Sequence, residues 1–476
     1  MNFKIFFMSV VSVLIFLSCD DYTDLTPPVP NQTSGSANFS RFVVLGNSIT
    51  AGYQSGALYE SAQEYSYGNL IAKRVETPFE MPIISDPGLG GRLEIQSMDP
   101  FALYANPSSG TAINTSYGTA YNNLGVPGAL TYDILFAKSS TTCASYVFAN
   151  SPNQYFDIVL RNYKWNLGTP LEQALYQKPT FITLWIGNND VLGYATSGGT
   201  SPSVPTTLDQ FQQLYGGISQ TLAQYVSQSG AKVVVANIPS ITAIPFFTTV
   251  GPQIAINPNI PWSSLALGFV YQKAGESGIG SGSATQQNLL NGNVLITLTG
   301  SSYAPLLGQP TGKFYRDYHF PALPAGIDTT KPFGFHPQNP WPNALILDAG
   351  EISIANSAVT SFNSVIAGMA TNFDFGLVDI NTAFNSFKTG KVVDGITFST
   401  MYVSGGLFSL DGVHPSNQAH AIVANEFLKV INTKYGASIP LIDVSSIPGS
   451  LILHKKAELK GGYFVIPQSA FDHLLF

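Results

Sequence analysis

The chain has 476 residues, 10% of them charged, and a net charge of −7; charged residues make up about 25% of an average protein. With no basic stripe to track phosphates, nucleic acid is excluded as a partner, and two cysteines exclude a disulfide framework. The six histidines show no His-Glu-x-x-His or other ligand spacing, so neither a metal nor another cofactor is expected.

Met1 to Lys4 carry one positive charge, and a largely apolar run follows from Ile5 to Leu17. This run is shorter than the roughly 20 residues of a membrane span and has the length of a signal-peptide core. It ends in Leu17-Ser18-Cys19, and a small residue before a cysteine there resembles the lipobox of bacterial lipoproteins, with Phe16 where Leu is more usual. Residues 1–18 are therefore expected to be a cleaved signal and Cys19 to be lipidated; a plain secretory signal or a short anchor is the alternative. Residues 19–40, rich in Pro, Ser, Asn and Asp, form a flexible tether. The expected location is the cell envelope, in the outer membrane of a Gram-negative bacterium, with the membrane as a partner through the lipid on Cys19. With Cys19 acylated, Cys143 has no partner within the chain.

The apolar run Phe42-Val43-Val44-Leu45-Gly46 has the pattern of a strand buried on both faces, and Ser48 lies just beyond its glycine. A serine there sits on the rim of a parallel sheet, where ligands bind; in isolation it equally suits a helix cap. A helix is predicted over Tyr67 to Val75, and an extended loop over 76–118. At Ala120 to Ala129 a short strand runs into a turn in which Gly128 can present a bare N–H. Phe181 to Ile186 is a second buried strand, and it ends in Gly187-Asn188-Asn189-Asp190, placing the Asn189 amide on the same rim. A helix over Leu208 to Ser227 and a strand over Lys232 to Ile238 continue the alternation of a doubly wound sheet.

From Pro239 to Trp341 the pattern dissolves into Pro, Gly, Ser and aromatic residues. Aromatics such as Trp262, Tyr271, Phe333 and Trp341 are expected mainly to pack this insertion rather than roof a cleft. Gly278 to Ser283 has glycines but no preceding strand and no clear following helix, which excludes a phosphate loop. A helix is predicted over Ala349 to Ala370 and a last core strand over Gly376 to Ile380. Asp411-Gly412-Val413-His414 follows, then a helix to Tyr435. An Asp three residues before a His can accept a hydrogen bond from Nδ1–H and leave Nε2 facing outward. Residues 438–476 have no assigned role.

Taken jointly, Gly46-Asn47-Ser48-Ile49, Asn123 to Gly128, Gly187-Asn188-Asn189-Asp190 and Asp411-Gly412-Val413-His414-Pro415 resemble, in order and context, the SGNH or GDSL hydrolase family. The resemblance implies Ser48 as nucleophile, His414 as general base and Asp411 as its orienting partner. It also implies an oxyanion hole from the backbone N–H groups of Ser48 and Gly128 and the side chain of Asn189. Asn47 stands where the family signature has aspartate, keeping an acceptor oxygen without the charge. The intervals between the sites, 80, 61 and 222 residues, exceed those of compact members. No Gly-x-Ser-x-Gly elbow is present.

The expected fold is a three-layer α/β/α domain over 41–437, flavodoxin-like, with a parallel sheet of about five strands and long loop insertions at about 76–118 and 239–341. The expected activity is that of a serine esterase or lipase acting on lipid, short acyl or acetylated glycan esters. A non-catalytic glycan-binding lipoprotein on the same fold and an acyltransferase using the same residues are the alternatives; the oligomeric state is open.

Overall fold

Phe42–Gly46 (β1) is buried along its whole length, as a strand flanked on both sides and covered on both faces must be. It pairs in parallel with Asn123–Gly125 (β2) on one side and Phe181–Trp185 (β3) on the other. Lys232–Ala236 (β4) pairs with β3, and Gly376–Val378 (β5) with β4. The order across this five-stranded parallel sheet is β2-β1-β3-β4-β5, the flavodoxin-like winding, whose direction reverses between β1 and β3. The structure is a computed structural model and describes residues 32–98, 101–200, 205–274 and 281–453. The signal segment, Cys19 and the tail beyond 453 lie outside the described residues.

Two helix layers cover the sheet. Tyr67–Arg74 (α1) and Asn417–Tyr435 (α4) pack together, with the Tyr67 and Phe427 rings stacked 4.9 Å apart. Leu208–Ser229 (α2) and Ala349–Asn372 (α3) form the other layer, with Phe211 and Phe362 stacked at 3.9 Å. The long helices start at capping side chains: Thr207 with Gln210 for α2, Asp348 with Glu351 for α3, and Ser416 for α4. These side chains satisfy N–H groups that the first turn leaves unpaired.

The last strand stops at Val378, two residues before the expected end. The Asp379 carboxylate accepts the Thr382 N–H at 3.0 Å and caps the next helix instead. The segment expected as an extended loop, 76–118, contains an antiparallel hairpin, Leu93–Met98 with Phe101–Ala105. Leu93, Ile95 and Leu103 of this hairpin are buried. In the 239–341 segment the aromatics do pack inward: Trp341 is fully buried, with Phe269 and Phe333 against it at 5.4 and 5.5 Å. That segment also holds an antiparallel hairpin, Phe269–Gln272 with Ser281–Ala284; Gly278 to Gly280 lie outside the described residues. Residues 439–447 are strapped along α4, where the Asn425, Asn432 and Gln418 amides bond to the backbone of Ile442, Ile439 and Ile447, and the chain then pairs with Ile95 of the first hairpin through Ile452 and Leu453.

Candidate active site

Three strand ends meet at one level of the sheet, because Gly46 is in register with Gly125 of β2 and with Trp185 of β3. Ser48, Gly128 and Asn189 lie two, three and four residues beyond those positions. Sequence separations of 80 and 61 residues thus collapse onto one rim. Two glycines make the approach possible. A Cβ on Gly46 would lie 2.1 Å from Thr50 Oγ1, and one on Gly125 would lie 2.4 Å from the Ala51 nitrogen. Neither leaves room for a side chain, so the strand turns sharply into the short helix Ser48–Ala51, and β2 presses against that helix. Asn123 fastens the contact by donating to Thr50 O at 2.8 Å.

Asn47 caps the short helix, its Oδ1 accepting the Ile49 N–H at 3.2 Å. The asparagine therefore performs the capping that needs only an acceptor oxygen, and the charge of an aspartate is dispensable for it.

Ser48 Oγ lies 2.9 Å from His414 Nε2, and His414 Nδ1 lies 2.9 Å from Asp411 Oδ2. All three residues are buried; Ser48, at 6% exposed, is the most accessible. The Asp411 carboxylate has a full set of donors. Oδ1 accepts from Ser409 Oγ at 3.1 Å and from the Val413 and His414 N–H groups at 2.9 Å each. Oδ2 accepts from the Gly56 N–H at 3.0 Å in addition to the imidazole. Burial pushes this carboxyl upward, but His414 and these hydrogen bonds outweigh burial and hold it below the usual carboxylate range. A buried anion is tolerated because each lone pair is met.

The donor from Gly56 belongs to the loop that leaves the Ser48 helix, so the Ser48 segment and the Asp411 carboxylate are tied across 355 residues. Ser55 reinforces the tie: its N–H donates to Ser409 Oγ at 2.9 Å and its Oγ accepts the Leu410 N–H at 3.2 Å. From another side, the Phe246 N–H, in the 239–341 segment, donates to Gly412 O at 3.0 Å. The Tyr53 ring lies 4.8 Å from the His414 ring and limits its rotation. Burial, with Tyr155 and Asp411 nearby, pushes the Tyr53 phenol well above its usual range, so it stays neutral.

Across the rim, Asn189 Nδ2 donates one hydrogen to Ala129 O at 3.0 Å; an amide nitrogen carries two, which leaves one for a ligand. Ser48 occupies the first position of its helix, where the N–H has no intrahelical partner. Gly128, at φ +80°, is half-buried, and among the described residues no acceptor takes its N–H. The loops that carry Gly128 and Asn189 are latched behind the rim by Asp190. Its carboxylate accepts from Thr131 N–H at 2.9 Å, Thr131 Oγ1 at 3.0 Å and Thr206 Oγ1 at 2.9 Å. Burial raises the Asp190 carboxyl to about 6 against these bonds.

Ser48, Gly128, Asn189, Asp411 and His414, the five residues marked by local sequence pattern, are brought to one rim by the fold. Ser55, Gly56 and Thr131 carry no such mark, because their partners lie 59 to 355 residues away, and Ser409, two residues before Asp411, belongs to no motif. Two cavities, of about 620 and 1130 Å³, open elsewhere, by Phe39 and Val75 and over the start of α3. Neither is lined by any of these five residues; the chemistry marks the site better than volume does. Among the described residues no group of three or more His, Cys, Asp or Glu side chains is placed to hold a metal ion.

Residues 42–277 match the model of the GDSL-like Lipase/Acylhydrolase family. The match includes Ser48, Gly128 and Asn189 and ends before Asp411 and His414, which the fold supplies. No curated protein matches the chain. Among solved structures, it is similar to an alpha/beta hydrolase enzyme from the metagenome of Lake Arreo, at 12% identity and TM-score 0.33, covering 83% of this chain and 96% of that one. An acetylxylan esterase from Geobacillus stearothermophilus matches at 12% identity and TM-score 0.34, covering 84% and 98%. A lipase/acylhydrolase from Enterococcus faecalis matches at 11% identity and TM-score 0.30, covering 84% and 98%. These likenesses are remote. By its sequence match and the geometry of its rim, the chain belongs to the GDSL-like lipase/acylhydrolase family and is a hydrolase of ester bonds.

Proposed function

We propose that the chain cleaves carboxylic esters through an acyl-enzyme on Ser48. The observation that carries this is the continuous line Ser48 Oγ to His414 Nε2 and His414 Nδ1 to Asp411 Oδ2, each step 2.9 Å. A serine hydroxyl is a poor nucleophile until a base takes its proton, and His414 is within reach to do so. As Oγ bonds to the ester carbon, the proton passes to Nε2, and the imidazolium is stabilised by Asp411, which stays ionised. The carbonyl oxygen becomes an oxyanion facing the Ser48 and Gly128 N–H groups and the remaining hydrogen of Asn189 Nδ2. Collapse expels the alcohol with the proton from His414. Water then attacks the acyl-serine, again deprotonated by His414, releasing the acid and restoring Ser48.

The substrates proposed are lipid, short acyl or acetylated glycan esters. A panel of p-nitrophenyl esters of rising chain length with acetylated glycans, run on wild type and Ser48→Ala, tests both the activity and its range. Hydrolysis that survives Ser48→Ala overturns the acyl-enzyme. The apolar core from Ile5 to Leu17 ending at Cys19 supports a lipid anchor in the cell envelope, with the outer membrane as the proposed destination. Radiolabelled palmitate is then expected to enter wild type in bacterial cells and not Cys19→Ala; equal labelling of the two removes the anchor.

A further inference from the structure

The oxyanion donor at Gly128 sits in the turn Val126-Pro127-Gly128-Ala129, closed by the Ala129 N–H on Val126 O at 3.0 Å. Proline at the second position and φ +80° at the third are the marks of a type II turn. Such a turn differs from type I mainly by a flip of its central peptide, here Pro127–Gly128. Glycine at the third position is at ease in either form, so the turn sequence alone does not fix which way this peptide faces. The consequence for the site is large, because a trans peptide is planar and its C=O and N–H point in opposite directions. In one form Gly128 offers its N–H; in the other the direction reverses and the Pro127 carbonyl oxygen is exchanged for it.

Asn153 decides between them. Its Nδ2 donates to Pro127 O at 2.8 Å in a buried contact. Its Oδ1 accepts the Tyr155 N–H at 3.0 Å, which fixes the amide's orientation, since the exchanged assignment would set two donors against each other. Asn153 is itself held, 3% exposed, with its own N–H on Ser140 O at 3.2 Å. With the Pro127 carbonyl anchored on one side, the Gly128 N–H must face the other.

We propose that Asn153 is a positioning residue that locks the Pro127–Gly128 peptide with its N–H toward the developing oxyanion; this rests on the oxyanion role proposed above for Gly128. Asn153 touches no reacting atom and acts through the peptide it holds. Breaking the lock therefore weakens binding of the transition state while leaving binding of the ester in its ground state alone.

Asn153→Asp is the sharpest test. It keeps the size and the acceptor for the Tyr155 N–H, and replaces only the donor by an acceptor facing the Pro127 carbonyl. Measured at alkaline pH, with the new carboxyl ionised, kcat is expected to fall between about tenfold and the roughly 10²-fold that loss of an entire oxyanion donor costs. KM is expected to change by no more than about twofold. Affinity for an aryl boronic acid, which forms a tetrahedral adduct with the serine, is expected to fall with kcat. Asn153→Ala, which frees the carbonyl without repelling it, is expected to fall between Asn153→Asp and wild type, and it carries the test if Asn153→Asp does not fold. A folded variant that melts earlier yet keeps wild-type kcat and boronate affinity overturns the inference, because a merely structural asparagine would behave that way. A wild type that hydrolyses no ester and binds no boronate overturns the proposed function, and this inference with it; an active wild type with an unaffected variant overturns the inference alone.

Discussion

The two halves of the site are built on opposite terms. On the acid–base side every acceptor position is filled: Asp411 receives hydrogen bonds from Ser409, Val413, His414 and Gly56. On the side proposed to face the oxyanion, donors are left over, at Ser48, Gly128 and one hydrogen of Asn189, while the bonds that fix these groups lie behind them, through Asp190, Thr131 and Asn153. The difference follows from the charge each half handles. A permanent buried anion must be compensated before substrate arrives, whereas an oxyanion exists only briefly and needs donors that are aimed but unpaired.

Removing either reacting group is expected to have the largest effect. Ser48→Ala or His414→Ala should lower kcat by roughly 10⁴-fold or more in ester assays, leaving only what binding and the oxyanion donors supply. Loss of a donor from the unsaturated half comes next. Asn189→Ala is expected to reduce kcat by roughly 10²–10³-fold with little change in KM. It also removes the bond to Ala129, so thermal unfolding should be followed beside kinetics; an unchanged kcat in the folded variant takes Asn189 out of the mechanism.

The saturated half should be more forgiving of a single loss, since four other donors remain on Asp411. Ser409→Ala, which removes the bond to Asp411 and the acceptor of the Ser55 N–H, is expected to lower kcat by roughly tenfold, the lower end of what one hydrogen bond to a charged group contributes. A loss as large as that of Asn189→Ala would erase the contrast between the halves.

The smallest effect on activity, but a readable one on stability, is expected at His420, one turn into α4. It is fully buried and neither ring nitrogen has a partner among the described residues. Burial, with His414 nearby, depresses its imidazole to about 3. Its folded-state affinity for a proton is thus below that of the unfolded chain, so the unfolded state gains protons first as pH falls. Stability is retained above the ordinary histidine value of about 6.5 and lost progressively below it, by up to about 1.4 kcal/mol per pH unit. Denaturant unfolding at a series of pH values should show His420→Leu gaining on wild type as pH falls from ~6.5 toward the depressed value; parallel curves would show that His420 is not buried neutral.

What was legible in the sequence was what local pattern controls. β1, β3 and β4 are covered on both faces, so their apolar runs are continuous, and the residues just past them land on the rim whatever the intervening chain does. Asp411 and His414 share one turn, which spacing alone reveals. The hairpin at Leu93–Ala105 was missed because its alternation is short and is flanked by Gly and Pro. The helices Thr131–Phe136 and Tyr155–Leu160 are six residues each, too short to display a period of 3.6. Asn153 and Gly56 bond to Pro127 and Asp411, 26 and 355 residues away, which only the folded chain brings near, and an asparagine in a Ser-Pro-Asn loop reads as any turn residue.

Activation of Ser48 by His414 on a preformed rim is the step on which the proposed hydrolysis depends. Mass spectrometry of wild type and His414→Ala after exposure to a fluorophosphonate tests it most directly. The wild type is expected to gain one adduct, mapped to Ser48, while folded His414→Ala gains none. A folded wild type that never reacts, or equal labelling without the histidine, would contradict it.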